Sequence, residues 1–233
     1  MSLKLAVLTT AAVALAAQTT YAQDPRVEIG VVAGWTLSDG VTTDSPVLGG
    51  DGNFYNSIEP DDSFSYSLNV GFFVNPNFEI GGLFSQQKSK MLIGGTTARE
   101  LGDWSVNNYH GYFAYNTGDF DSKARFYLLA GLGATQYGSL SFTGANGAQR
   151  DIGGETQFST TWGAGVKLYP GKNVGLKLGM RWTPTYIKSD AEGWWCDPYW
   201  GCYVVGDAQY SNQFEFSGGL TFRFDPARSP VEG

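Results

Sequence analysis

The stretch FSYSLNVGFFV, residues 64–74, alternates large apolar side chains with small or polar ones. One side of the alternation holds Phe64, Tyr66, Leu68, Val70, Phe72 and Val74. The other side holds Ser65, Ser67, Asn69 and Gly71. Successive side chains of a β-strand point to opposite faces, so this pattern predicts a strand with one apolar face and one small polar face.

Seven further stretches show the same two-residue period. The predicted strands cover about residues 26–37, 63–74, 78–90, 104–116, 125–137, 157–169, 174–186 and 210–224. The fourth strand is ambiguous, and we favour Tyr109, Phe113 and Tyr115 on its apolar side. Connections after the second, fourth and sixth strands are short. The others are mostly long, at about 38–62, 91–102, 139–155 and 187–209. An even strand number with short turns at one end and long loops at the other is typical of an outer-membrane barrel.

Charged residues of the predicted strands lie opposite the apolar face, apart from Lys88 and Lys90 near a loop. They are Glu28, Glu79, Arg125, Lys167, Lys177, Arg181, Glu215 and Arg223. A soluble barrel would show water a much more highly charged exterior. A charge that faces lipid at mid-depth costs about 2–4 kcal/mol, which explains the strict alternation. We therefore predict an all-β fold, an eight-stranded antiparallel up-and-down transmembrane β-barrel with short periplasmic turns, long extracellular loops and a lumen filled by side chains.

Aromatic residues are expected near both ends of the strands. Those toward the long loops are Trp35, Phe64, Tyr66, Trp104, Trp182, Tyr186 and Tyr210. Those toward the short turns are Phe72, Phe78, Tyr115, Phe126, Phe222 and Phe224. Two belts of aromatic rings predict two boundaries between water and lipid.

Composition and the N-terminus narrow the function classes. The 233 residues carry a formal net charge of −7 and no basic stripe, which argues against a nucleic-acid partner. Two cysteines and one histidine exclude a zinc site built from several such ligands. Lys4, the apolar run 5–17 and Ala22 predict a secretory signal peptide at residues 1–22, followed by a barrel domain at 23–233.

Residues 24–224 resemble the small bacterial outer-membrane β-barrel domain family, whose eight-stranded barrels are similar to OmpA and OmpX. The resemblance is carried by FYLLAGLGATQYG (126–138), GLKLGMRWTPTY (175–186) and FEFSGGLTFRF (214–224). The last is similar to the family's C-terminal insertion signal, with Gly219, Leu220, Phe222 and Phe224 as the matching residues. The resemblance implies an integral protein of a Gram-negative outer membrane, with extracellular loops and periplasmic termini. It also implies contact with lipid, lipopolysaccharide and the barrel-assembly machinery.

The lumen charges have two interpretations. Arg181 and Glu215 fall at similar heights on neighbouring strands, and Glu28 and Arg223 fall near the periplasmic end of the strands that must close the barrel. Buried ions need partners, so we interpret these charges as static packing in a plugged lumen. The alternative is a small passive pore gated by exchange of salt bridges.

The sequence does not predict an enzyme. Lipid A deacylases of the outer membrane need a His and a Ser close on one strand, but Tyr112 stands two residues after the single His110. We expect His110 to point inward and to bond its neighbours. No nucleophile–base constellation, cofactor site or metal site is predicted. A lipid-modifying enzyme is kept as a third interpretation, behind a structural or surface-interaction barrel and a pore.

Both cysteines lie in WWCDPYWGCY, residues 194–203, within the fourth long loop. Cys196 and Cys202 enclose five residues that include Pro198 and Gly201, and we predict a disulfide between them. Such a bridge constrains the chain by about 2–3 kcal/mol on an entropy model. It would cluster four aromatic residues that are candidates for surface contact, Trp194, Trp195, Tyr199 and Trp200. The outer leaflet, a protein partner and a lid over the other loops are all open, and we favour the lid.

Overall fold

A computed structural model describes residues 26–48, 53–95, 99–143, 149–187, 196–197, 201–202 and 209–224. The predicted signal peptide at 1–22 and the four candidate contact residues Trp194, Trp195, Tyr199 and Trp200 lie outside the described residues. Among the residues described, no helix has the length and apolar character needed to cross a membrane.

Fourteen strands make up the described chain. They are β1 (Val27–Ser38), β2 (Val41–Leu48), β3 (Phe54–Pro60), β4 (Ser63–Phe73), β5 (Phe78–Gly95), β6 (Arg99–Asn116), β7 (Ala124–Tyr137), β8 (Leu140–Thr143), β9 (Gln149–Ile152), β10 (Glu155–Leu168), β11 (Val174–Ile187), β12 (Cys196–Asp197), β13 (Gly201–Cys202) and β14 (Gln209–Phe224).

Eight of these strands close into one barrel. Its neighbours run in the order β1, β4, β5, β6, β7, β10, β11 and β14, and β14 returns to β1. Every pair is antiparallel, and the closing pair runs from Val27 opposite Phe224 to Ser38 opposite Gln213. The predicted eight-stranded antiparallel up-and-down barrel is therefore confirmed.

The two faces of the wall differ as the alternation predicts. Phe126, Leu128 and Leu132 of β7 are exposed on the outside, whereas Tyr127 and Thr135 are buried in the interior. The ambiguous β6 has its apolar side outward, with Tyr109, Phe113 and Tyr115 exposed. A closed sheet leaves no unpaired edge to the surrounding lipid, which is what a membrane-spanning sheet requires.

The long-loop end of the barrel differs most from the prediction. The stretch predicted as a loop at 91–102 is mostly strand, because β5 continues to Gly95 and β6 begins at Arg99. The hairpin of β2 and β3 then adds to β5 outside the barrel wall, with Ile58 opposite Ile93. Two further hairpins, β8–β9 and β12–β13, form in the third and fourth long connections.

Trp104 was assigned to the outer aromatic belt, and this was wrong. Its side chain is buried, its indole Nε1 donates to the carbonyl of Gly138 at 2.7 Å, and its ring stacks on Tyr137. Even-numbered residues of β6 from Trp104 to Asn116 face the interior, so Trp104 shares the face of His110. An inward apolar layer at this end therefore replaces one residue of the predicted belt.

The ladder between β10 and β11 is interrupted near the long-loop end. Pairing is continuous from Leu168 opposite Leu176 up to Trp162 opposite Trp182, and it then resumes only at Ser159 opposite Thr185. Pro184 lies within the gap, and a proline has no backbone N–H to donate to the neighbouring strand. On its other side, β11 pairs with β14 without a break from Val174 to Ile187.

Candidate functional site

The eight charged residues singled out from the sequence all lie buried in the lumen: Glu28, Glu79, Arg125, Lys167, Lys177, Arg181, Glu215 and Arg223. They come from β1, β5, β7, β10, β11 and β14, whose alternation directs them inward. The structure divides them into a large group near the short turns and a separate pair nearer the long loops. Together they form the candidate site.

Lys167 is the centre of the group near the short turns. Its Nζ lies 2.5 Å from Oε1 of Glu28 and 2.8 Å from Oε2 of Glu79, and all three side chains are at most 1% exposed. Glu79 also accepts from the hydroxyl of Tyr112 at 2.7 Å, and Glu28 from the hydroxyl of Tyr169 at 2.5 Å. One cation thus ties β1, β5 and β10 together across the lumen.

Arg125 and Arg223 bind the backbone of the short turns. Arg125 donates from Nε to the carbonyl of Thr117 at 3.1 Å, and its Nη2 donates to the carbonyl of Pro76. Arg223 donates from Nη1 to the carbonyl of Phe120 at 2.8 Å, and its Nη2 lies 3.5 Å from Glu28. The two guanidinium groups therefore hold the turns against this end of the barrel.

A pair of phenylalanines fills the space between these cations. Phe73 and Phe120 are buried, and their ring centroids lie 5.2 Å apart in an edge-to-face arrangement. Arg125, Arg223 and Lys167 each lie over the Phe73 ring, at 5.3, 5.9 and 5.3 Å from its centroid. Phe120 comes from the β6–β7 turn, so that turn contributes a side-chain plug to the lumen.

Lys177 has weaker partners than the other lumen cations. Its Nζ donates to Oδ1 of Asn69 at 3.1 Å and lies 5.0 Å from the ring centroid of Tyr127. The ring face attracts a desolvated cation, and the amide oxygen satisfies one of its donors. With Lys177 included, the lumen holds five basic and three acidic residues.

Arg181 and Glu215 form the second group. Arg181 Nη2 lies 2.6 Å from Glu215 Oε2, which also accepts from the hydroxyl of Ser65 at 3.2 Å. The two residues are directly opposite in the β11–β14 ladder. A small cavity of about 10 Å³ adjoins the pair, bordered by Thr36 and Gln213 among others. That is the volume of about one water molecule.

A hydroxyl and amide network continues the filling toward the long-loop end. Asn108 donates to Gln213 at 3.0 Å, and Gln213 donates to Gln87 at 2.7 Å. Thr135 donates to the side chain of Asn108 at 2.6 Å and lies 2.9 Å from the hydroxyl of Ser159. Side chains of five strands thus cross-link one layer of the lumen.

His110 points into this network. Its Nε2 lies 2.9 Å from Oγ of Ser159, and its Nδ1 has no partner among the described residues. Ser159 comes from β10, so a search for a serine on the strand of His110 could not find it. A nucleophile and base pair needs a third group to orient the base, and the described lumen offers no carboxylate to Nδ1.

An apolar layer closes the long-loop end of the lumen. Its buried members come from β3, β5, β6, β7, β8 and β11, and they are Ile58, Met91, Trp104, Val106, Tyr137, Leu140 and Ile187. Ile93 and Leu101 pack against this cluster. The loop strands β3 and β8 supply two of the members, so the long loops themselves cover the mouth.

Two buried aromatic residues of the lumen, Phe73 and Phe120, were missed in the sequence. Phe73 lies between Phe72 and Val74, and the alternation that puts those two residues outward was the available signal for its inward position. Phe120 is the one aromatic residue of the turn TGDFDSKA, and that isolation was the available signal.

The remaining candidate residues lie in β12–β13 and β14. The backbone register places Cys196 directly opposite Cys202. In β14, Leu220 and Phe224 are exposed on the outer face, and Phe222 is half-buried on the same face. Gly219 faces inward, where an added Cβ would lie 2.2 Å from the carbonyl oxygen of Val31.

Comparison with known proteins identifies one family and several solved structures of similar fold. The family model described as "Outer membrane protein beta-barrel domain" matches residues 5–224. No curated protein matches the sequence.

Among solved structures, the outer membrane protein OprG from Pseudomonas aeruginosa is 11% identical, with a TM-score of 0.58 over 87% of this chain and 97% of that chain. Neisserial surface protein A is 15% identical, with a TM-score of 0.48 over 86% and 97%. The outer membrane protease OmpT from Escherichia coli is 11% identical, with a TM-score of 0.45 over 87% and 97%. At such identities the likeness is one of fold.

Proposed function

The chain belongs to the outer membrane protein β-barrel domain family, and from that membership we propose a closed, non-conducting barrel with a structural and surface-interaction role. It is an integral outer-membrane protein. The proposed orientation has the long loops outside the cell and the chain termini in the periplasm, as the short turns at one end and long loops at the other favour. The barrel-assembly machinery is the expected partner during insertion.

The bridge from Lys167 to Glu28 and Glu79 is the observation that carries the proposal. It spans the lumen at 2.5 and 2.8 Å, with no side chain of the three more than 1% exposed. Removing one partner would leave an uncompensated buried charge, so the bridge cannot open without a large cost in free energy. The Phe73–Phe120 plug on one side and the apolar layer on the other support the proposed closed lumen.

Planar-bilayer recording tests the closed barrel. The mature protein is refolded in detergent, its folded state is verified by the heat-dependent shift in gel mobility, and current is recorded across the bilayer. We expect no conductance steps from the folded protein. Reproducible steps from folded protein, absent when the same detergent is added alone, would overturn the proposal.

A gated pore is the second candidate, and the Arg181–Glu215 pair is the observation that favours it. Glu215 already has a second partner in Ser65, and the adjoining cavity offers space for a change of partner. If the barrel conducts, Arg181→Ala should change the size of the steps. Steps that Arg181→Ala leaves unchanged would remove the pair from any gating role.

We propose that the His110–Ser159 pair packs the lumen and performs no acyl transfer. Both residues are buried, with exposures of 4% and 1%, and they face away from the lipid. An acyl hydrolase would need its serine to reach an ester from the membrane. Incubation of the folded protein with lipid A should release no fatty acid, and release that Ser159→Ala abolishes would establish an enzyme.

The surface role is proposed for the fourth loop, where Trp194, Trp195, Tyr199 and Trp200 precede or lie between Cys196 and Cys202 in the sequence. The opposition of the two cysteines in the β12–β13 register supports the predicted disulfide between them. Replacing the four aromatic residues with serine and measuring adhesion of whole cells to protein-coated surfaces tests the role. Adhesion equal to that of the wild type would leave the loop as a lid over its neighbours.

A further inference from the structure

The outer surface of β5 and β6 changes its chemistry in four steps toward the long-loop end. The paired residues are Gly82 with Gly111, Phe84 with Tyr109, Gln86 with Asn107 and Lys88 with Ser105. Alternate residues of a strand share a face, so all eight point outward, and we name these four pairs the β5–β6 strip. Toward the long-loop end, the strip consists of two glycines that form a groove, two aromatic rings, two side-chain amides, and a lysine opposite a serine.

The first step is an apolar groove in the lipid-facing wall. Gly82 and Gly111 form its floor, and Leu68 and Val70 of β4 flank it. An added Cβ on Gly82 would meet nothing within 4 Å, so the floor is open rather than covered by a neighbour. The groove is shallow and open to the lipid, with a volume of about 460 Å³.

Aromatic and amide groups follow directly above the groove. The rings of Phe84 and Tyr109 lie 5.2 Å apart between centroids. The hydroxyl of Tyr66 donates to Oε1 of Gln86, and Nε2 of Gln86 donates to Oδ1 of Asn107 at 2.6 Å. The bond from Gln86 occupies Oδ1 of Asn107, and its Nδ2 group donates to no acceptor among the described residues. This donor lies one pair away from Lys88, so the two groups can contact the same lipid headgroup.

Lys88 completes the strip. Its side chain is exposed, and within the described ranges it forms no ion pair, whereas the next outward lysine, Lys90, lies 2.8 Å from Glu100. A lysine at this position lays its aliphatic stem along the apolar wall and extends its ammonium group to the headgroup level. Lys88 and Asn107 therefore present only donors to a ligand, which suits an anion rich in oxygen acceptors.

We propose that the β5–β6 strip binds one molecule of an acylated, phosphate-bearing glycolipid of the outer leaflet. One acyl chain lies in the groove over Gly82 and Gly111, and a phosphate contacts Lys88 and Asn107. The proposal rests on the proposed orientation, in which the long-loop end lies at the outer leaflet. On this face the apolar groove is continuous with the donor groups, so one ligand can contact both.

Two variants with matched controls test the site. Lys88→Gln removes the cation, and Gly82→Leu fills the groove without meeting a neighbour. Lys172→Gln removes an exposed lysine of the β10–β11 turn, and Ala130→Leu places the same side chain at an outward position of β7. Native mass spectrometry of the full folded barrel in mild detergent then measures retention of bisphosphorylated lipid A.

We expect a one-to-one complex with the wild-type protein and with both control variants. Loss of one charge-assisted hydrogen bond should weaken binding by about tenfold in Lys88→Gln. Dephosphorylated lipid A should bind the wild type and Lys88→Gln alike, since the lysine then has no phosphate to contact. Gly82→Leu should weaken both forms of the lipid, because the groove contacts the acyl chain.

Equal retention by the strip variants and the wild type would overturn the site, as would equal losses in the control variants. Phosphatidylglycerol that binds as tightly as lipid A, with the same dependence on Lys88, would also overturn it, because the ligand would then be any anionic phospholipid. The planar-bilayer recording tests the closed lumen and is independent of the lipid-binding measurement. A conducting barrel that still retains lipid A at the strip would contradict the closed lumen and leave the lipid site standing.

Discussion

Lys167 offsets two carboxylates that would otherwise repel each other inside the barrel. Glu28 and Glu79 approach it from strands β1 and β5, which are separated in the wall by β4. Neither carboxylate is exposed to water, so their charge is compensated only by the cations and hydroxyls around them. The lysine is therefore a structural requirement of the lumen even if nothing passes through it.

Lys167→Met should lower the free energy of unfolding by about 3–5 kcal/mol, because methionine keeps the volume but leaves Glu79 without its ion-pair partner and Glu28 with only the 3.5 Å contact to Arg223. Urea titration of the refolded protein in detergent, followed by tryptophan fluorescence, measures the change. The control is Lys172→Met, whose lysine is exposed in the β10–β11 turn. Equal urea midpoints for the two variants would contradict the role given to Lys167.

Single residues also mark where sequence reasoning was sufficient and where it was not. The inward facing of Glu28 or Arg223 follows from a period of two, since one position fixes the rest of its strand. Partner choice does not follow: nothing in the sequence places Lys167 between Glu28 and Glu79. Ser159 reaches His110 from a strand 49 residues away in sequence, so that contact depends on register around the barrel.

Among the elements, β11 is tied unequally to its two neighbours. Its pairing with β14 is unbroken, whereas its pairing with β10 has a gap at Pro184. A strand that lacks one donor leaves a carbonyl of the neighbouring strand without its bond. The β10–β11 junction is therefore the least bonded part of this half of the wall.

Pro184→Val should extend the β10–β11 ladder through Thr160 and Thr161, because valine restores the N–H and suits a strand. We expect slower amide hydrogen exchange in β10 near Thr161 and a gain of about 0.5–1.5 kcal/mol in the free energy of unfolding. Exchange in β1, which does not pair with β11, serves as the internal reference. Unchanged exchange near Thr161 would show that the gap has another cause than the missing N–H.

The β3 strand carries a titratable group outside the membrane-spanning wall. Burial and the neighbouring Asp39, Asp62 and Asp61 raise the pKa of Glu59 above its ordinary value of 4.5. A raised acid pKa means that the folded hairpin binds protons more tightly than the unfolded one. Its destabilising effect is absent in acid, where both forms are protonated, and it grows as the pH rises past the ordinary value.

Protection of the β3 amides from hydrogen exchange should accordingly be greater at acid pH than at neutral pH. Glu59→Gln should remove that difference, because the glutamine has no charge to lose. Glu155→Gln, at the long-loop end of β10, should leave it intact. A pH dependence that survives in Glu59→Gln would assign the effect to the aspartates alone.

The β12–β13 hairpin brings the two cysteines opposite each other in the backbone register. We expect the exported protein to be lighter than its reduced form by the mass of two hydrogens, because an oxidised pair has lost both thiol protons. Intact mass measurement before and after reduction, with a thiol-blocking reagent added at lysis, gives the result. Two blocked thiols in unreduced protein would contradict the disulfide.

At the scale of the whole molecule, the barrel and its inward charges could be predicted because alternation is a local property. Eight strands with one apolar face each can hide their backbone from lipid only by closing. The loop hairpins could not be predicted in this way. The continuation of β5 and β6 beyond the wall depends on the added β3 strand, and the buried position of Trp104 depends on the layer that β3 and β8 complete.

The lumen charges change what the folded molecule shows to its surroundings. Five basic and three acidic side chains are buried inside, and their charges sum to +2. The formal net charge of the chain is −7, so the charges of its other residues sum to −9. Closing the barrel leaves the total net charge unchanged, but it moves a net charge of +2 into the interior, so the accessible surface becomes more negative. An anion-exchange column in non-ionic detergent should retain the folded form longer than the unfolded form at neutral pH. Retention on the column therefore reports whether the basic residues of the lumen are buried.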